Sequence, residues 1–215
     1  MPTWLGGDGS VRMEHTSKPM RLGLWRVTRH ERVRALYDRL SDRGVVLARL
    51  DRFERETTGP NDPESDPPDC VRFRVARPAG AVPSSLDDAP LAPGDRIVLA
   101  RREGERVGHC VLSDRPVFVP ELARLLRVDG AYCWRLYVRP SARGCGIGTA
   151  IVARALAAAR TAFDSDLLQA LVAPDNLPSR CAFGRLGFDP VERFTTVGAY
   201  GLRFDRRRPL APSSG

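Results

Sequence analysis

Lysine is almost missing from this chain: of its 34 basic side chains only Lys18 is a lysine, and the rest are arginines. Those arginines are scattered, with no long basic run and no interleaved aromatics. The formal charge of +8 therefore does not argue for a nucleic-acid-binding function, which needs cations gathered along one face. Long apolar stretches are missing too. The Ala-rich segment from Thr149 to Ala159 is broken by Arg154, and nothing approaches the roughly 18 apolar residues of a membrane-spanning helix, so no membrane association is expected. Residues around Asp8 and Glu14 lack the apolar centre of a secretory leader, and a cytoplasmic location is expected. Cys70, Cys110, Cys133, Cys145 and Cys181 form no Cys-x-x-Cys pair and no Cys/His ligand spacing. That excludes a disulfide scaffold and a zinc site, and no metal is expected.

What is present is an ordinary globular composition, 42% hydrophobic and 28% charged over 215 residues, enough for one domain with a sizeable core. Residues 1–19 read as a flexible tail, with Met13 and Met20 as alternative starts. Alternation from Arg21 to Val27 predicts a strand. Thr28 with Glu31 forms a capping-box pattern ahead of Val33, Leu36, Tyr37 and Leu40, which predicts a helix ending near Gly44. The spacing of Val46, Leu47, Leu50 and Phe53 predicts a second helix. Between Gly59 and Gly94 lie eight of the 18 prolines, so residues 57–94 read as an excursion. It is acidic at its start: seven acidic side chains face two basic ones from Asp51 to Cys70. Within the excursion, Val71, Phe73 and Val75 predict one short strand.

Regular structure is predicted again from Asp95, first as a hairpin whose turn is Arg102-Glu103-Gly104-Glu105 and whose second strand runs from Val107 to Leu112. A helical turn near Pro120 precedes a strand from Ala131 to Val138. A helix then runs from Gly146 to Arg160, burying Ile147, Ile151, Val152, Leu156 and Ala159. A strand over 167–172, a helix over 179–186 and two strands over 188–194 and 196–204 complete the order, with residues 206–215 as a second tail.

At the junction of strand and helix stand Gly144, Gly146 and Gly148. Unpaired backbone N–H groups and a partial positive charge at a helix start hold anions, and glycines let an anion come close. Glycines of this spacing also serve simple tight packing. A Walker loop is excluded because no lysine follows. A dinucleotide fingerprint fails at Thr149, and its acidic residue, Asp175, comes too late.

The segment Leu136-Tyr137-Val138-Arg139-Pro140-Ser141-Ala142-Arg143-Gly144-Cys145-Gly146-Ile147-Gly148 resembles motif A of the GNAT superfamily of acyl-CoA-dependent N-acyltransferases: a strand ending Leu-x-Val-x-Pro, then Arg-x-x-Gly-x-Gly. A second match follows in Asn176, Ser179, Phe183, Gly187 and Phe188, at that family's usual offsets. The resemblance spans about residues 20–205. It implies an α+β fold of three layers: a mixed, mostly antiparallel twisted sheet of six to seven strands with helices on both faces.

The same resemblance implies an N-acetyltransferase that moves an acetyl group from acetyl-CoA to a primary amine of a small molecule, peptide or protein. A non-catalytic acyl-CoA-binding module is the alternative. The cofactor's pyrophosphate would lie on Arg143, Gly144, Cys145, Gly146, Ile147, Gly148 and Thr149, with no side chain tolerated at Gly146. Its pantetheine arm would pair with Leu136, Tyr137 and Val138, where an N–H would polarise the thioester carbonyl. Asn176, Ser179 and Phe183 would line the cleft. Phe183 stands where the family often has a tyrosine acid, so thiolate departure would rely on water or another donor, with Tyr137 and Cys133 as candidates, or catalysis would be slower. His109 and Glu121 have suitable chemistry for a base, although each also fits a structural role. The family leaves open a homodimer through the final strands.

Overall fold

The computed structural model describes residues 46–58, 70–78, 91–122, 124–199 and 202–211. The first tail, the strand over 21–27 and the helix ending near Gly44 lie outside these residues. The described elements are β1 (Val46–Glu56), β2 (Val71–Ala76), β3 (Arg96–Arg102), β4 (Glu105–Ser113), β5 (Val117–Val119), β6 (Arg124–Leu126), β7 (Ala131–Val138), α1 (Ile147–Phe163), β8 (Leu167–Val172), α2 (Leu177–Arg185), β9 (Asp189–Ala199) and β10 (Leu202–Pro209). Eight strands form one sheet in the order β10-β9-β1-β8-β7-β4-β3-β2, while β5 and β6 pair separately. Only β7 and β8 are parallel; every other pairing is antiparallel. The α+β class and the mixed, mostly antiparallel sheet agree with the sequence reading, with one strand more than its upper figure.

Both described α-helices pack on the same face. Ile147, Ile151, Ala155, Leu156 and Ala159 of α1, with Phe183 of α2, enclose a core with Val98, Cys110, Leu112, Cys133, Leu168 and Ala170 from the sheet. Gly108 lets β4 approach α1 closely, because a Cβ there would meet Ile151 Cδ1 at 2.8 Å and the Tyr137 carbonyl oxygen at 2.9 Å. The opposite face carries the β5–β6 hairpin and a short 3-10 turn, Pro120–Leu122. Val117, Val119, Leu122 and Leu126 cover Ala48, Leu50, Tyr132 and Phe194 there. The hairpin is tied across the sheet to β10, since the Leu122 carbonyl accepts a bond from Arg203. The guanidiniums of Arg124 and Arg207 lie 5.0 and 5.3 Å from the Phe194 ring centre.

Three sequence expectations are corrected. Residues 46–53 are strand, not helix. Their spacing satisfies both periods, since Ala48 and Leu50 face the hairpin while Asp51 and Phe53 face the helices. Pairing with β8 on one edge and β9 on the other decides between them. The break between the last two strands falls after Ala199, not at Thr195. The β-branched pair Thr195 and Thr196 continues β9 against Arg49 and Ala48. Residues 206–209, read as tail, pair with β9.

Asp51 ties these layers together. Fully buried, it accepts bonds from Arg193 Nε (2.6 Å) and Nη2 (2.9 Å) on β9 and from Arg180 Nη1 (2.8 Å) on α2. Burial alone acts to raise its pKa, but the bonds and charges of Arg193 and Arg180 outweigh this and hold it below the ordinary carboxylate value. Asp51→Ala strands two guanidiniums against a gap and should destabilise the protein by about 3 kcal/mol, read as a lower urea midpoint. A midpoint within error of the unaltered protein would contradict this role.

Candidate functional site

β7 pairs with β8 only from Ala131↔Leu168 to Cys133↔Ala170. Beyond Cys133 the two strands part, although β7 continues to Val138. On its other edge β7 stays paired with β4, but the register slips: Val111 opposes Trp134 while His109 opposes Tyr137. The extra residue is a β-bulge, and Arg135 takes a left-handed conformation there, φ +53°. The result is an opening in mid-sheet with the backbone of Leu136, Tyr137 and Val138 along one edge.

The chain leaves β7 through a 3-10 turn, Pro140–Ala142, and enters α1 beside this opening. Arg143 donates from Nε to the Val138 carbonyl (2.9 Å), folding the loop back on the strand end. Gly144 and Gly146 have φ of +82° and +75°, and Gly146 caps α1 with no side-chain bond to the helix. The first helical bond runs from Ala150 N to Gly146 O, leaving the amides of Ile147, Gly148 and Thr149 without intrahelical acceptors. No acidic residue occupies this first turn. Residues 143–146 are exposed. The loop thus offers an anion three amides, the positive end of a 17-residue helix and an exposed approach among the described residues. Among the described residues a Cβ on Gly146 would meet nothing within 4 Å, so the limit on side chains that they impose there comes from its left-handed backbone and not from crowding.

The second motif is structural in its visible contacts. Asn176 caps α2, its side chain accepting from Ser179 N at 3.3 Å. Phe183 is buried, 6.1 Å from the Phe53 ring and edge-on to Phe188 at 5.0 Å. Gly187, φ +70°, turns the chain out of α2, and Phe188 N bonds Phe183 O.

The acid–base candidates lie apart. Tyr137 is 43% exposed on the parted segment of β7, its ring 5.5 Å from that of His109. Cys133 is buried on the helix side. Glu121 is half-buried on the 3-10 turn of the hairpin. His109 is 3% exposed, and its Nδ1 has no hydrogen-bond partner among the described residues. Burial, then the charges of Arg106 and Arg135, lower its pKa to about 4. It is therefore neutral at pH 7 but a feeble proton acceptor for an amine. Sequence reasoning did not single out Arg106 and Arg135. The signal that marks Arg135, a left-handed bulge, is invisible in residue types.

A folded-state pKa below the unfolded value means that the unfolded chain binds the extra proton first. Stability contributed by neutral His109 is present above about pH 6.5, falls as the pH drops toward 4 and levels off below that. The loss amounts to at most about 3 kcal/mol. His109→Gln should flatten this part of the stability profile in urea melts between pH 7 and pH 4.5; an unchanged slope would contradict the assignment.

Comparison with known proteins bears on the whole arrangement. The sequence profile of the Acetyltransferase (GNAT) family matches residues 64–188, from within the acidic segment to the end of the second motif. A comparison with curated proteins returned no match. Among solved structures, the chain is similar to a GCN5-related N-acetyltransferase from Kribbella flavida, with 20% identity, a TM-score of 0.51 and coverage of 78% of this chain and 65% of that one. It is also similar to a tandem GNAT protein from the clavulanic acid biosynthesis pathway, with 15% identity, a TM-score of 0.50 and coverage of 83% and 59%. The chain thus spans about three-fifths to two-thirds of the length of these two proteins, and at such identities the likeness is one of fold. With a sheet that parts beside a glycine-rich helix start, and a family profile matching more than half its length, the chain belongs to the GNAT acetyltransferase family.

Proposed function

We propose that this protein transfers an acetyl group from acetyl-CoA to a primary amine. The observation that carries the reading is the parting of β7 from β8 immediately beside the uncapped start of α1. In this reading the amides of Ile147, Gly148 and Thr149 hold the pyrophosphate, with Arg143, Gly144, Cys145 and Gly146 shaping the loop around it. The free edge of Leu136, Tyr137 and Val138 pairs with the pantetheine arm as a missing strand would. An N–H of this edge near the bulge polarises the thioester carbonyl, an effect worth about 3 kcal/mol per donor. Asn176, Ser179 and Phe183 act on this cleft through α2, which they cap and anchor.

The amine nitrogen attacks the thioester carbon, the C–S bond breaks, the nitrogen gives up one proton and the CoA sulfur takes one. Products are the N-acetyl amine and free CoA thiol. No metal is required by this chemistry. We assign the proton donor for the sulfur to Tyr137, which is exposed on the parted strand. Buried Phe183 has no proton to give and Cys133 faces the core. His109 is too weak a base, which leaves Glu121 or solvent water to take the amine proton. Family membership carries acyl transfer in general; acetyl-CoA, the amine and a cytoplasmic setting are our reading. No helix among the described residues is long and apolar enough to cross a membrane. A homodimer through β9 and β10 is consistent with the exposed outer edge of β10.

Acetyl-CoA at about 100 times its Kd should stabilise the protein by roughly 2.7 kcal/mol, seen as a rise in Tm. Gly146→Asp, which sets a carboxylate at the anion site, should abolish the rise. A well-folded unaltered protein with no rise would sink the proposal. Tyr137→Phe should lower kcat by about 10- to 100-fold with KM for acetyl-CoA unchanged. Binding of acetyl-CoA without thiol release over a broad panel of amines would favour the non-catalytic acyl-CoA-binding module instead.

A further inference from the structure

Arg135 occupies a backbone position that side chains rarely adopt. At φ +53°, glycine or asparagine would form the same bulge with less strain. A long cationic side chain at such a place points from the observed strain to a use for the side chain.

Its surroundings say what that use is. The Arg135 guanidinium lies 5.6 Å from the ring centre of Trp134. The Trp134 indole N–H donates to Ser113 Oγ (2.9 Å), and the Ser113 hydroxyl donates to Asp95 Oδ1 (2.7 Å). Asp95 and Ser113 are fully buried, and Asp95 also receives Arg115 and the Ala92 amide. The indole beneath Arg135 is thus fixed through two buried groups to the loop before β3. Close by are Tyr137, paired across the strands with His109, and the Nδ1 of His109, which has no hydrogen-bond partner among the described residues. The charges of Arg106 and Arg135 both reach His109, so two cationic side chains flank this corner. The corner sits at the bulge, where β7 has just left β8 and where the acyl group would lie.

We infer that this corner selects the acceptor by charge: the amine also carries a carboxylate, and Arg135 pairs with that carboxylate while Trp134 holds the guanidinium in place. A planar guanidinium suits a carboxylate because it offers two parallel donors. Polyamines and lysine-rich peptides meet like charge here and are disfavoured. The inference rests on the acyl-transfer reading and names its second substrate.

The test measures CoA thiol release with acetyl-CoA and three sets of acceptors: free amino acids and short peptides with a free C-terminus, the corresponding C-terminal amides, and spermidine. Free amino acids against peptides separates the two sources of the carboxylate. Carboxylate-bearing acceptors should show KM at least about tenfold below their amides. Arg135→Gly and Arg135→Asn, both compatible with the left-handed backbone, should erase that preference, leave KM for acetyl-CoA unchanged and keep or raise Tm. A preference for amides or spermidine, or a preference for acids that survives in Arg135→Gly, overturns the inference. So does failure of every acid as acceptor when acetyl-CoA raises Tm. Failure of acetyl-CoA to raise Tm overturns the acyl-transfer reading beneath it.

Discussion

A strand that is paired on both edges at its start and on only one at its end is the constraint on which the rest of this structure depends. β7 begins as an interior strand, held by β4 and β8, and ends beside an opening. Unpaired backbone groups inside a sheet are costly unless something bonds them. The loop after β7 answers part of that demand through Arg143 on the Val138 carbonyl. The remaining edge is suited to an extended polar ligand. In the proposed function the helix start next to it receives that ligand's anionic end, so that strand edge and helix terminus would serve one elongated molecule with an acyl group at its tip.

Holding that opening at fixed width falls to the flanks. On the helix side, Asp51 joins β1 to α2 and β9 through two guanidiniums, and Phe53, Phe183 and Phe188 pack beneath. On the other side, Asp95 and Ser113 fix Trp134 at the bulge. Each flank uses a buried carboxylate to order arginines or an indole, which gives part of the arginine excess a structural role in an otherwise basic chain. β1, β9 and β10 lie outside residues 64–188, yet they form one contiguous end of the sheet. The profile thus covers the opening and α2, and the strands beyond it brace α2 from the far side.

Much of this was legible in the residues. The α1 helix, β7 and β8 were visible because long apolar stripes and short apolar runs bounded by turn residues have few alternative readings. The glycine-rich loop at the start of α1 was visible because its glycines stand where a strand gives way to a helical stripe. β1 was misread because Val46 to Phe53 fits both a helical and an alternating period, and only neighbours far along the chain, Leu171 and Phe194 among them, select the strand. Asn176 and Ser179 were read from a motif as lining the cleft, and residue types did not reveal that they bond each other at the start of α2. The bulge at Arg135 was out of reach, since an arginine with positive φ contradicts local preference. Such departures from local rules concentrate where a protein binds or reacts.

The central claim, that the parted edge of β7 and the start of α1 hold one acyl-CoA molecule, is tested most directly by amide chemical-shift mapping with CoA. The largest changes should fall on Gly146, Ile147, Gly148 and Thr149 together with Leu136, Tyr137 and Val138, and they should saturate along a single binding curve. Changes confined to the arginine-rich β10, or separate curves for the helix start and the strand edge, would contradict it.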